Sequence, residues 1–306
     1  MEKIYKPHIV ADSKIPYLRG VLEPFAHMSY YAPTEIDNHI VQKADMLIIR
    51  TRTHVDSHLL QGSPCHFIAT ATIGYDHIDT SYCASHGIRW VNAPGCNASS
   101  VGQYVLASLL AWAKARQQHL ADLTIGIVGV GHVGKVVAQY CRAIGMRVLL
   151  NDPPRARAES SQEFVSLDTI ANEADIITFH TPLTTDGSDA TYHLGSAAFF
   201  SSAKRKPLII NSSRGAVVDN KALLNALSQG IISDIIMDCW EGEPQIDAQL
   251  LAAAFIATPH IAGYSADGKS NATRMTVESV AREIGVTIDT STIVPLAPPV
   301  TTIDVT

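Results

Sequence analysis

Paired cysteines, long apolar runs and an excess of charge of either sign are all missing from this chain. Its five cysteines, Cys65, Cys83, Cys96, Cys141 and Cys239, include no Cys-x-x-Cys spacing. That excludes a disulfide framework or zinc ribbon and reads as reduced thiols. No stretch reaches the roughly 18 apolar residues of a membrane span. The opening Met1-Glu2-Lys3-Ile4-Tyr5-Lys6-Pro7 lacks the apolar core of a signal peptide. A cytoplasmic protein outside the membrane is expected. Charged residues are only 17% and the net charge is −6, so neither nucleic acid nor an anionic membrane is an expected partner. The 13 histidines form no His-Glu-x-x-His motif or Cys/His cluster, and no metal is expected. His54 and His58, four residues apart, read as a solvated helix face.

What is present is apolar material in short, ordered pieces. Hydrophobic residues are 46% of 306, enough to bury two cores of ordinary size. Runs such as His8–Ala11, Met46–Ile49, Phe67–Ala71 and Arg89–Asn92 have strand length and β-branched content. Helix-compatible segments lie between them, for example Thr34–Ala44 and Asp76–Gly87. This alternation predicts βα units and a parallel sheet. The unit closes at the break Ala93-Pro94-Gly95. A long helix follows from Ala98 to about Gln118, with Asn97 as its expected N-cap. Its apolar residues wrap more than one face, which suits a helix packed between domains or at a subunit interface. A second βα series has strands starting near Thr124, Arg147, Asp175, Lys206, Asp234 and Ala254. The Thr-, Pro- and Val-rich tail from Thr287 to Thr306 reads as either a docked strand or a loose end.

The strongest motif is Gly129-x-Gly131-x-x-Gly134, which follows the strand starting at Thr124 and opens a helix. Gly129 permits the tight turn, Gly131 lets a pyrophosphate approach the backbone, and Gly134 lets helix pack on strand. The N–H groups at His132 and Val133, with the helix dipole, suit a diphosphate. Asp152 ends the next strand, where a carboxylate would bind ribose hydroxyls and repel a 2′-phosphate. NAD is therefore expected over NADP, with Arg155 and Arg157 read as loop charge.

Three phrases carry chemistry: Asn211-Ser-Ser-Arg-Gly215, Asp238-Cys-Trp-Glu-Gly-Glu-Pro244 and Thr258-Pro-His-Ile-Ala-Gly-Tyr264. An arginine can hold a carboxylate by two parallel hydrogen bonds. A histidine can exchange a hydroxyl proton near neutral pH, and a carboxylate beside it orients the ring and stabilises imidazolium. With a dinucleotide site upstream, Arg214, Glu243 and His260 are the candidate catalytic residues for oxidation of a 2-hydroxy acid. Glu241 competes with Glu243 for the carboxylate role; Glu243 is taken because it directly precedes Pro244, as in the family that the chain resembles.

With these phrases in order, and with Ala69-Thr-Ala-Thr-Ile-Gly-Tyr-Asp-His-Ile-Asp79, Ala93–Ala98, Asp152-Pro-Pro-Arg155, Thr178–Leu183 and Arg214–Asn220 between them, the chain resembles the D-2-hydroxyacid dehydrogenases over roughly residues 8–285. The phrases Asp-Pro-Pro-Arg, Trp-Glu-Gly-Glu-Pro and His-Ile-Ala-Gly-Tyr point to a branch acting on a small phosphorylated 2-hydroxy acid. The resemblance implies two doubly wound parallel-sheet domains facing a cleft. A flavodoxin-like substrate domain would span residues 1–96 plus 265–306, and a Rossmann NAD-binding domain residues 97–264. It further implies that Thr181, Ser212, Ser213, Asp238 and Gly263 line the nicotinamide side, that Thr51, Thr72 and Tyr264 meet the substrate, and that the protein is a homodimer. Arg50 or Arg52, at the end of one strand, would supply a cation for the phosphate, only one of them facing the site. Ile73 and Gly74 would offer backbone N–H groups to the substrate carboxylate. Two positions depart from the family phrases: Gln103 stands where a Glu is usual, and Ser212-Ser213 replaces an Ala-Cys pair. Such relatives often continue into a further C-terminal dimerisation domain. Phosphoglycerate, glycerate and lactate remain alternative substrates of the same chemistry, and a non-catalytic NAD-sensing corepressor is the alternative of another class.

Overall fold

The computed structural model describes residues 6–295. Chain contacts divide the molecule into two compact units, one running up to Asn97 and resuming at Ser265, the other from Ala98 to Tyr264.

The first unit is built on β1 (His8–Asp12), β2 (His27–Tyr31), β3 (Met46–Ile49), β4 (Phe67–Thr70) and β5 (Arg89–Val91). All pairings are parallel and the order is β2-β1-β3-β4-β5, the flavodoxin-like arrangement. β3 and β4 are buried at every residue, as expected of strands covered on both faces. The apolar runs predict four of the five strands. The fifth, β2, was missed because an edge strand of sequence His-Met-Ser-Tyr-Tyr is partly exposed and carries no apolar run. Short helices α1 (Asn38–Val41), α2 (Ser57–Leu60) and α3 (Thr80–Ser85) connect the strands, each capped by an aspartate: Asp37, Asp56 and Asp79. His54 precedes α2, so His54 and His58 do not share a helix face.

The second unit opens with α4 (Ala98–Arg116) and continues β6 (Thr124–Val128), α5 (His132–Ala143), β7 (Arg147–Asn151), α6 (Pro153–Glu159), α7 (Leu167–Glu173), β8 (Ile176–Phe179), α8 (Ala197–Ser201), β9 (Leu208–Asn211), α9 (Asn220–Ser228), β10 (Asp234–Met237), α10 (Ala248–Ala253) and β11 (Ile256–Ala257). The parallel sheet has order β11-β10-β9-β8-β6-β7. Beyond β7, a lone parallel bridge joins Leu150 to Phe164, and Val165 N–H donates to the Leu150 carbonyl at 2.7 Å. This one-residue remnant occupies the place of the outermost strand in a dinucleotide-binding sheet. β6 is wholly buried and lies at the switch point, where β7 and β8 flank it on opposite sides. Ligands of such sheets bind outside the carboxyl ends of the strands at that point.

The chain then returns to the first unit through α11 (Ala266–Ile284), capped by Ser265 and ended by Gly285 in the left-handed conformation. Val277 and Val280 of α11 pack with Ile9, Ile48 and Phe67. Residues 286–295 form no strand, yet Ile293 is fully buried in that core, and its carbonyl accepts from Arg274 at 3.0 Å. The rest of the tail, 296–306, lies outside the described residues.

Candidate active site

At the end of β6 the glycine motif adopts the geometry that its spacing predicts. Gly129 has φ +87°, which L side chains rarely adopt. A Cβ built on Gly134 would overlap the Gly129 carbonyl, so only glycine lets α5 approach the turn this closely. Gly131 is different. A Cβ there would meet no protein atom, so packing within the chain does not demand a glycine, whereas close approach of a pyrophosphate does. Gly131 caps α5 without any side-chain hydrogen bond, leaving the N–H groups at His132 and Val133 for an anion. Thr181 adds to the fit: its methyl faces Gly129, and its buried hydroxyl has no partner among the described residues. These residues suit the diphosphate end of a dinucleotide.

Asp152, at the end of β7, already has local work. Its Oδ2 accepts from Val130 N–H at 2.8 Å and its Oδ1 from Arg155 N–H at 3.1 Å, capping α6. Arg155 forms a two-pronged ion pair with Glu159 and donates to the Val130 carbonyl, and Arg157 pairs with Asp189. Both arginines lie on α6, not on a loop as the sequence reading has them, and both are paired with carboxylates.

The three phrases fall at the ends of β9, β10 and β11 and are laced together. Arg214 immediately precedes the 3-10 turn Gly215–Val217, and its Nη1 donates to the Ser213 carbonyl at 2.8 Å. A Cβ on Gly215 would overlap the Trp240 carbonyl and Glu241 nitrogen, so the Arg214 loop lies directly against the Trp240–Glu243 turn. In that turn Trp240 N–H donates to Glu243 Oε1 at 2.5 Å. Glu243 Oε2 lies 2.9 Å from His260 Nδ1, with side chains 33% and 45% exposed. The pair engages Nδ1 and leaves Nε2 as the ring nitrogen for proton exchange. Glu241, the competing carboxylate, is instead 2.7 Å from His193 Nε2.

The electrostatics follow from this geometry. The Glu243 hydrogen bond raises the His260 pKa above its ordinary value; partial burial and nearby Arg214 oppose the rise, and the charges of Glu243 and Asp238 reinforce it. Burial alone would raise the Glu243 carboxyl, but the His260 bond and the Trp240 N–H bring it below its ordinary value.

Asp238 holds the histidine loop. Its buried carboxylate accepts from the Thr258 hydroxyl at 2.6 Å, Ile261 N–H at 2.7 Å and Ala262 N–H at 3.0 Å. Its carbonyl accepts from His260 N–H at 2.8 Å. These bonds sustain a left-handed backbone at His260, φ +55°, which is uncommon for a non-glycine residue. The family resemblance implies a place for Asp238 on the nicotinamide side; its carboxylate is largely spent on this loop. Ser213 is likewise turned inward: it is buried, and both its hydroxyl and its N–H donate to Asn211 Oδ1. Ser212 is 3.5 Å from His180 Nδ1, a histidine that burial pushes well below its ordinary pKa. Gly263 is half-buried in the turn after Ala262.

The residues expected to meet the substrate fall on loops. β3 ends at Ile49, so Arg50, Thr51 and Arg52 are on a turn, and strand alternation does not choose between the two arginines. Arg50 pairs with buried Asp12, Nε to Oδ2 at 2.9 Å. Thr51 and Arg52 are exposed. The Thr72 hydroxyl contacts Thr70 Oγ1 at 2.7 Å and donates to the Gly74 carbonyl at 2.9 Å, while Asn92 donates to the Ile73 carbonyl. Tyr264 is 72% exposed. Sequence reasoning missed Trp240, Thr258, Asn211 and His193 as supports. The first three lie inside or beside the quoted phrases; His193 lies outside them.

Folding also brings one candidate ligand atom from each of Cys239, Glu243 and His260, and from each of His193, Asp219 and Glu241, within 4.8 Å of one another. In both groups the histidine is already hydrogen-bonded to a glutamate.

A dinucleotide turn at the switch point and an Arg, Glu and His at neighbouring strand ends define a nicotinamide-dependent 2-hydroxyacid dehydrogenase. The family model for the NAD binding domain of D-isomer specific 2-hydroxyacid dehydrogenases matches residues 103–262. The chain belongs to this family and is an NAD-dependent enzyme. It is similar to erythronate-4-phosphate dehydrogenase of Bacteroides thetaiotaomicron, 55% identical over 275 residues, covering 90% of this chain and 79% of the relative. The enzyme of that name from Porphyromonas gingivalis is 47% identical over 278 residues, with coverage of 90% and 75%. Among solved structures, D-lactate dehydrogenase from Aquifex aeolicus, complexed with NAD and lactic acid, superimposes with a TM-score of 0.76 at 25% identity, covering 91% of this chain and 96% of that one. No helix among the described residues is long and apolar enough to cross a membrane.

Proposed function

We propose that this enzyme oxidises 4-phospho-D-erythronate to 2-oxo-3-hydroxy-4-phosphobutanoate with NAD, a step toward pyridoxal phosphate. For the reaction, the observation that carries the reading is the 2.9 Å pairing of His260 Nδ1 with Glu243 beside the Arg214 loop. For the substrate, it is 47–55% identity to erythronate-4-phosphate dehydrogenases.

In this reading the Arg214 guanidinium grips the C1 carboxylate and polarises the adjacent oxygen. His260 takes the C2 hydroxyl proton at Nε2, and Glu243 stabilises the imidazolium that results. NAD, when bound, supplies the acceptor for the C2 hydride. Gly129, Gly131, His132, Val133 and Gly134 hold the diphosphate, Asp152 the ribose, and Thr181, Ser212 and Gly263 the nicotinamide side. Ser213 and Asp238 serve that side from beneath, by shaping the backbone. Thr51, Thr72 and Tyr264 contact the substrate, with Arg52 the cation for its phosphate. The enzyme works in the cytoplasm as a homodimer. On α4, Leu110 is 52% exposed, an apolar residue that a subunit interface would cover.

Purified enzyme with NAD and a panel of 4-phosphoerythronate, 3-phosphoglycerate, glycerate and D-lactate tests the substrate through absorbance of reduced nicotinamide. The phosphoerythronate should give the highest kcat/KM. Equal or better turnover of phosphoglycerate would overturn the assignment, and NAD binding without turnover of any acid would favour the non-catalytic sensor.

A further inference from the structure

The Trp240–Gln245 turn carries two glutamates, and each meets a histidine in left-handed backbone: Glu243 meets His260 (φ +55°), and Glu241 meets His193 (φ +51°). The first pair belongs to the proposed chemistry. The second lies outside it, yet it grips the same turn.

His193 joins three loops. Its N–H donates to the Ala216 carbonyl at 2.8 Å, tying it to the loop that follows Arg214. Its Nε2 is 2.7 Å from Glu241 Oε1, and its Nδ1 is 3.6 Å from Asp219 Oδ2. Tyr192 stacks on its ring at 4.0 Å between centroids. The other oxygen of Glu241 accepts from Asn220 N–H at 3.4 Å. With its amide oriented to satisfy both ends, buried Asn220 accepts from Glu241 N–H at 3.0 Å and donates to the Val218 carbonyl at 3.2 Å.

The turn needs such holding. Gly242 (φ +79°), Glu243, Pro244 and Gln245 are all exposed, and an exposed turn around a glycine has few packing contacts to fix it. A partly exposed pair of this kind adds little to global stability, while a left-handed histidine detracts from it. The arrangement is better explained by what it positions.

We propose that His193 and Glu241 are positioning residues that fix the Trp240–Glu243 turn against the Arg214 loop, and so hold Glu243 on His260. The inference rests on the acid–base role proposed for that pair.

The test uses the NAD-bound enzyme with His193→Asn, Glu241→Ala and Glu241→Gln. Asparagine tolerates left-handed backbone but is too short to reach Glu241, so His193→Asn removes the side-chain bond with little backbone penalty. Glutamine at 241 still accepts from His193 through its amide oxygen and gives up only the long 3.4 Å bond from Asn220 N–H. His193→Asn and Glu241→Ala should each lower kcat about tenfold, the scale of a small misplacement of reacting groups. KM for NAD should stay within about twofold, and the double variant should be no worse than either single one. Glu241→Gln should remain near wild type. NMR titration of labelled His260 supplies the second readout. Its pKa should fall in His193→Asn and Glu241→Ala as Glu243 is released. Wild-type kcat in His193→Asn would overturn the proposal, as would a loss of kcat with the His260 pKa unmoved. If no 2-hydroxy acid is turned over by the wild type, the functional reading fails, and the titration still decides whether His193 holds the pair.

Discussion

The strand ends of the two units are furnished in opposite ways. In the unit from Ala98 to Tyr264, the loops after β9, β10 and β11 are cross-braced: the Asp238 carboxylate accepts from Thr258, Ile261 and Ala262, Gly215 abuts the Trp240–Glu241 peptide, and Glu243 is bonded at both oxygens. In the other unit the loop after β3 leaves Thr51 and Arg52 exposed, and the Thr72 hydroxyl bonds to its near neighbours Thr70 and Gly74. Proton transfer tolerates little displacement, so its groups need bracing. We infer that the braced loops carry the reaction and the open ones the choice of acid.

The largest test of that division is His260→Ala, which should lower kcat by about 10²–10⁴-fold while NAD affinity, followed by quenching of protein fluorescence, stays unchanged. Loss of NAD binding in step with kcat would erase the distinction between bracing and chemistry. A pH series on Glu243→Gln is the next sharpest. His260 must be unprotonated to accept the hydroxyl proton, so oxidation rises with pH through the histidine pKa, which Glu243 holds above its ordinary value. Removing that charge lowers the pKa and should move the rising limb to lower pH; a limb that stays or moves up would remove Glu243 from this role. The smallest effect belongs to the open loop. Arg52→Ala should raise KM for the phosphorylated acid by about tenfold, as loss of one charge-assisted contact does, with little change for D-lactate or glycerate. Equal changes for every acid would place Arg52 outside phosphate recognition.

The legibility of the chain in its sequence divides along similar lines. Buried parallel strands such as β6 and β3 were readable because both faces are covered and the runs are continuously apolar. Edge strand β2 and the one-residue remnant at Phe164 were not, since partial exposure leaves no such signal. Gly129 and Gly134 were readable because the turn needs a positive φ at one and a missing Cβ at the other. His193 was invisible because its bond to Glu241 spans 48 residues and no local pattern marks either end.

By itself the sequence determined the alternation of strands and helices, the glycine turn, and the presence of an arginine, a histidine and two glutamates in three short phrases. Those are properties of neighbouring residues, set by backbone geometry and side-chain chemistry. Tertiary structure decided which glutamate meets which histidine, that Arg50 is taken by Asp12 and Arg52 is exposed, and that Ser213 and Asp238 turn inward to shape loops. These depend on how separate loops pack at the strand ends within each sheet, where a shift of one residue exchanges a hydrogen bond for solvent. Local spacing carries no information about that.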